Sequence, residues 1–233
     1  YKLGAVGTET NAQDGFYVHT TIDPINNWLL HELTKTLETY KKNLDDYEYS
    51  IALETIEQFF WKTFCDNYLE LIKDRFFNPD KYSQKVIDAT RFTLYEVGFA
   101  ILQLYAPFLP HITETLYQML FKKTELTESI HISYLDSARF NFTCPQDAQL
   151  AEKVLEIVGQ MRKLKSEKNL SLKTEIQTLT IYAQDQALLD MLSSQTKLLS
   201  GITKALTIEY KKETDKTTEL TGENEKLNAT IQI

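Results

Sequence analysis

Apolar side chains recur at intervals of three and four along the chain as far as Leu164, and at every second position beyond Lys173. The first period predicts α-helices and the second β-strands. Asp23-Pro24 opens the first helix: an N-cap carboxylate, then a proline whose missing N–H costs nothing in a first turn. Trp28, Leu29, Leu33, Leu37 and Tyr40 carry it to about Asn43, and the polar stretch Asp45–Ser50 turns the chain. A second helix is predicted from about Tyr49 to Phe77, through Ile51, Leu53 and Ile56. On it Phe60, Phe64, Tyr68, Leu71, Ile72 and Phe76 make one apolar stripe, opposite Asp66, Asn67, Glu70, Lys73 and Asp74. Asn78-Pro79-Asp80 stops it, because a residue before proline avoids the helical region.

A third helix, Ser83 to about Ala106, is apolar on nearly every side and is expected to be the most buried, with Gly98 permitting close approach by a neighbour. Pro107 and Pro110 bracket a bend, after which Ile112, Leu116, Tyr117, Leu120 and Phe121 define a further amphipathic helix. Glu125 to Pro145 reads as loop with a short extended piece around Ile130–Tyr134. The last long helix begins near Asp147, and Leu150, Val154, Ile157, Val158, Met161 and Leu164 line its buried face. From Lys173 the period of two marks strands through Ile176–Ala183, Leu206–Tyr210 and Leu227–Ile233, with Gly222 in the turn before the third. A helix from Ala187 to about Leu199, ended by Gly201, lies between the first two. The pattern predicts a mainly α fold: residues 1–22 a linker or fragment end, 23–171 a helical bundle, and 172–233 a small β-α-β-β subdomain docked on it. Starting at KLGAVG without an initiator Met, the chain reads as a piece of something longer.

Composition narrows the function. The net charge of −8 argues against non-specific nucleic-acid binding, which needs a broad basic surface. Cys65 and Cys144 offer no metal spacing or disulfide framework, the four histidines are scattered, and no apolar run is long enough to span a membrane. These features point to a soluble, cytoplasmic protein with no membrane partner. Locally the charge reverses. Between Arg162 and Lys173 stand five bases (Arg162, Lys163, Lys165, Lys168, Lys173) and one acid (Glu167), with Arg162, Lys165, Ser166 and Asn169 on one helical stripe. Such a stripe suits phosphate oxygens and 2′-hydroxyls. Cations at a helix C-terminus also complement the macrodipole at ~0.3–1 kcal/mol each, so residue type alone leaves both readings open.

Three stretches add a resemblance. PFLPHITETLYQ is similar to the P-F-x-P-H/F-x-T/S-E-x-L/I-Y/W-Q pattern of the anticodon-binding domain of class I aminoacyl-tRNA synthetases, and PINNWLLHEL resembles its opening helix. WKTFCDNYLELIKDRFF resembles the corresponding helix of the valyl branch, and IVGQMRKLKSEKNLS a segment shared by valyl and isoleucyl members. Lys165 stands where many relatives carry Arg, which favours phosphate contact over bidentate base readout.

The resemblance implies a helical bundle that binds the anticodon stem-loop of valine tRNA. Backbone contacts are then expected from Arg162, Lys163, Lys165 and Lys168, and base contacts from the polar face and end of the second helix: Asn67, Glu70, Lys73, Asp74, Arg75 and Phe77. Phe76, on the apolar stripe, is expected in the core. The family's H-I-G-H and K-M-S-K-S elements, a Gly-rich phosphate loop and a catalytic triad are all missing from the sequence. No catalytic residue, metal site or cofactor is therefore assigned to this chain. ATP and Mg would serve a catalytic domain of the same parent chain, and the isolated segment is expected to be inactive. No heptads follow Glu213, so the coiled-coil arm of many bacterial valyl enzymes is absent or cut off. The competing readings are a helical protein-interaction scaffold without RNA binding, favoured by the acidic net charge, and the same domain of an isoleucyl or leucyl enzyme.

Overall fold

A computed structural model of the chain describes residues 23–212, 217–221 and 228–233. The expectations for residues 1–22, Gly222 and Leu227 lie outside them. The described residues form two compact units, one from 23–69 and Tyr82–Pro145, the other from Glu70–Lys81 and the described part of Gln146–Ile233. The expected class holds: mainly helical, with a small α/β part at the end.

In the first unit, α1 (Pro24–Asp45) starts as its sequence dictates. Asp23 Oδ1 accepts from the amides of Ile25 at 3.1 Å and Asn26 at 3.0 Å. Ile25, Trp28, Leu29, Leu30, Leu33, Leu37 and Tyr40 are all buried along it, each large aliphatic contributing ~1.5–3 kcal/mol of transfer free energy. α2 (Tyr49–Gln58) runs on into a π-helical stretch, Phe59–Tyr68, and then α3 (Leu69–Phe77). The single α-helix expected here is thus re-phased in its middle by i→i+5 bonding. Phe60, Phe64 and Tyr68 still stack in a row, with centroids 6.3 and 6.1 Å apart. The hydroxyl of Tyr68 donates to Asn26 Oδ1 at 2.9 Å, which satisfies its polar tip inside the core.

Ser83 caps α4 (Gln84–Tyr105), whose buried Ile87, Val97, Phe99, Ile101 and Leu104 belong to the same core. A Cβ at Gly98 would meet Phe121 at 3.5 Å, an ordinary contact, so close approach is not what requires glycine there. α5 (Pro110–Leu120) and the single turn α6 (Lys122–Glu125) follow. Thr113, Tyr117 and the following Phe121 are the buried positions, whereas Ile112 and Leu120, expected to face inward, are exposed. The extended piece expected at Ile130–Tyr134 is a 3₁₀ turn over Ile130–Ile132. The long connection from 126 to 144 is nevertheless ordered by specific bonds. Thr34 Oγ1 donates to Phe140 O at 2.7 Å and accepts from the Phe142 amide at 2.9 Å. The Arg139 guanidinium grips Glu96 and Glu125 through four bonds of 2.7 to 2.9 Å and lies 4.8 Å from the Phe99 ring centroid.

The second unit combines residues 70–77 of α3, the helix α7 (Pro145–Glu167) from Gln146 on, and a four-stranded sheet. The strands β1 (Ile176–Ala183), β2 (Ala205–Lys212), β3 (Glu219–Thr221) and β4 (Asn228–Gln232) lie in the order β2-β1-β4-β3. β1 pairs parallel with β2 and with β4, and β3 antiparallel with β4. Ile176, Leu179, Ile181 and Ala183 are buried along β1, as their spacing requires. The crossover to β2 contains two helices where one was expected, α8 (Gln186–Ser193) and α9 (Thr196–Thr203). Gly201 does not end the helix but sits inside α9, where a Cβ would come within 2.7 Å of the Asp74 carboxylate. Lys204, at φ 61°, is the left-handed cap instead.

Candidate nucleic-acid interface

α7 ends in a Schellman arrangement. Asn169 takes φ 53°, its amide donates to Ser166 O at 2.9 Å, and the Leu170 amide donates to Lys165 O at 2.8 Å. The cap terminates the helix at Glu167 and makes Asn169 a turn residue, so the expected stripe through Arg162, Lys165, Ser166 and Asn169 is not one helical face.

Lys165 departs furthest from expectation. It is 1% exposed, and its Nζ donates to the carbonyls of Leu172 at 3.1 Å, Thr174 at 2.7 Å and Thr203 at 2.8 Å. All three ammonium donors are used, so the phosphate contact expected of Lys165 is corrected to a structural role. Burial pushes its pKa down to about 8, and the nearby Lys204 charge adds to the shift.

Above this buried cation lies a cleft of about 730 Å³, all of whose lining residues belong to the second unit. It brings together Glu70, Lys73 and Phe77 of α3, Arg162 of α7, Lys173 of the connecting segment and Lys204 after α9. Of these, sequence reasoning named Glu70, Lys73, Phe77 and Arg162, and counted Lys173 among the bases without assigning it a contact. It missed Lys204, whose approach depends on the fold of α9 and has no local signal. Lys73 pairs with Glu70, and Lys204 lies 3.6 Å from Asp74. Asp74 is itself buried and accepts from Asn78 Nδ2 at 2.9 Å, so it forms part of the wall and does not face solvent. Arg162 and Lys173 make no ion pair among the described residues. Phe77 is 77% exposed.

The other expected contact residues are placed differently. Arg75 is 1% exposed and does not line the cleft, so direct base contact by its side chain is corrected to a packing position. Phe76 is 43% exposed, against the core position expected for it. Lys163 and Lys168 are exposed but lie outside the cleft lining; Lys163 stands 4.0 Å from Glu167. Asn67 is half-buried in the π-helical stretch of the first unit. Neither Cys65 nor Cys144 is in a disulfide, and burial pushes the Cys65 thiol up with the Asp66 charge adding to it. Among the described residues no helix is long and apolar enough to cross a membrane, and no His, Cys, Asp and Glu side chains cluster as a metal site.

Comparison with known proteins gives the class. The family model for the anticodon-binding domain of tRNA ligases matches residues 26–181, and the chain belongs to that family. Within it, the chain is 35% identical over 193 residues to the valine–tRNA ligase of Rickettsia conorii, covering 82% of this chain and 22% of that protein. It is 39% identical over 156 residues to that of Rickettsia canadensis, covering 67% of this chain and 19% of that protein. The valine–tRNA ligase of Ehrlichia ruminantium is 36% identical over 169 residues, 72% of this chain and 20% of its own length. The valyl-type resemblance carried by the motif stretches is thereby borne out. The chain spans about a fifth of the length of these relatives.

Proposed function

We propose that this chain is a tRNA-binding module whose cleft in the second unit receives the anticodon stem-loop of valine tRNA. It would position that tRNA for aminoacylation by a catalytic domain elsewhere in a longer parent chain, in the cytoplasm. ATP and Mg belong to that domain's chemistry.

One observation carries the reading: an exposed aromatic ring, Phe77, shares a cleft with two cations, Arg162 and Lys173, that have no carboxylate partner among the described residues. Anticodon loops present splayed bases on a phosphate backbone, and an aromatic face flanked by cations is complementary to both. Lys73 with Glu70 offers a donor and an acceptor at the same wall for base edges. Lys163 and Lys168 extend the positive surface toward the stem. Asn67 is kept as a contact of the first unit.

The test is titration of a labelled valine tRNA anticodon stem-loop with the chain at several salt concentrations. Affinity should fall linearly with salt on logarithmic axes, and Phe77→Ala should weaken binding by ~1–3 kcal/mol while leaving the unfolding midpoint in place. A flat salt response removes the RNA reading in favour of a protein-interaction scaffold. Equal affinity for isoleucine or leucine stem-loops removes the valine assignment alone.

A further inference from the structure

Lys165 is a buried cation of the second unit, and nothing about tRNA contact explains its burial. A lysine on the last turn of a helix normally reaches water; this one is 1% exposed with every donor used. Its acceptors are informative. Leu172 and Thr174 flank Lys173, and their two carbonyls, one residue apart on either side, turn toward the ammonium. The Lys173 side chain is exposed. The third acceptor, Thr203 O, is a last-turn carbonyl of α9 with no helical partner of its own, and it immediately precedes Lys204. The residues next to the anchored carbonyls are thus the cleft cations Lys173 and Lys204, and Lys165 itself is three residues from Arg162 on α7.

We propose that Lys165 is a positioning residue: its buried ammonium ties the end of α7 to the segments carrying Lys173 and Lys204, and so sets the spacing of the cations that grip an RNA backbone. The proposal rests on the tRNA reading of the cleft. Lys165 touches no RNA itself. Its charge is not cancelled by a carboxylate, because main-chain carbonyls accept hydrogen bonds without carrying a net charge.

Two measurements on the full chain separate this role from simple stabilisation. Amide hydrogen exchange reads the anchored segments directly: in Lys165→Met, residues 172–175 and 203–205 should exchange about tenfold faster while α7 and β1 keep their protection. The salt slope of valine tRNA binding reads the consequence. Each phosphate contact contributes ~0.7–0.9 to that slope, so loss of ordered placement of Lys173 and Lys204 should lower it by about 1.5. A merely less stable protein, still folded at the assay temperature, keeps its slope. Lys165→Gln, shorter and neutral but able to donate two hydrogen bonds, should change both readouts in the same direction by less, and it carries the comparison should Lys165→Met not fold. Unchanged exchange in both segments, or an unchanged slope despite faster exchange, overturns the proposal. Failure of the wild-type chain to bind with any salt dependence overturns the tRNA reading instead, and the exchange result then decides the anchoring role alone.

Discussion

Two cations, Arg139 and Lys165, are held in opposite ways. Arg139, in the first unit, meets two carboxylates through planar, nearly bidentate bonds. Burial alone would raise the Glu125 carboxyl, but the hydrogen bonds from Arg139 and Tyr95 and the Arg139 charge together outweigh it and hold the group below the usual carboxylate range. The Arg139 guanidinium is correspondingly pushed further up: burial opposes the charge, and the bonds to Glu125 and Glu96 more than restore it. Lys165, in the second unit, meets only carbonyl oxygens, and its pKa is driven down by burial. One arrangement cancels charge and fastens a long connection to α4. The other leaves a positive charge uncancelled at the floor of a cleft whose proposed ligand is a polyanion. An internal cation opposed by acids reads as fold hardware; one opposed only by main chain shapes the field of a site.

The comparison breaks first at Arg139. Arg139→Met leaves Glu96 and Glu125 without their counter-cation and should cost ~3–5 kcal/mol in urea unfolding. Lys165→Met strands carbonyls but no opposite charge, and should cost less, ~1–3 kcal/mol. Equal or reversed costs would mean that the two cations are not held differently.

pH sharpens the same contrast. Glu125 is depressed in the folded state, so its contribution is complete above its unfolded pKa of ~4.3 and is lost as pH falls through the lower folded value; Arg139→Met should lack that acid-limb loss. Lys165 runs the other way: its folded value of about 8 lies below the ordinary lysine value of 10.5, so between these the unfolded chain binds more protons. Wild-type stability relative to Lys165→Met should therefore rise between pH 8 and 10.5, measured as the difference in unfolding midpoints. The smallest effect belongs to Lys163, an exposed partner of Glu167 at 4.0 Å. Lys163→Met should leave stability within ~0.5 kcal/mol and lower the salt slope of tRNA binding by no more than ~0.9.

The helices were legible in sequence because their signals are local and redundant. Asp23-Pro24, Ser83 and Pro110 mark starts, and apolar spacing marks the faces of α1, α4 and α7. The π-helical stretch was not, since Phe60, Phe64 and Tyr68 fit a spacing of four equally well before any hydrogen bond is seen. Phe76 and Arg75 were read on the wrong sides, although Leu71 and Ile72, also beyond the π-helical stretch, are buried as the stripe requires. β3 is only three residues long and pairs at the sheet edge, too short for a period to register. The site divides in the same way. Lys73, Phe77 and Arg162, which line the cleft, were named from sequence because charge or an off-stripe aromatic is visible in one dimension. Lys165 was misplaced because its three acceptors come from 7, 9 and 38 residues away, and main-chain oxygens leave no trace in a sequence.

That invisibility has a consequence for mutational tolerance. The Arg139 clamp can be undone from three positions, since Glu96 and Glu125 are as replaceable as the arginine. The Lys165 anchor has a single point of failure. Whatever side chains occupy positions 172, 174 and 203, their carbonyls remain, so substitution there leaves the acceptors intact unless the backbone itself moves. The lining of the cleft is thereby free to vary around one buried cation, a division of labour that lets the grip be retuned without rebuilding its frame.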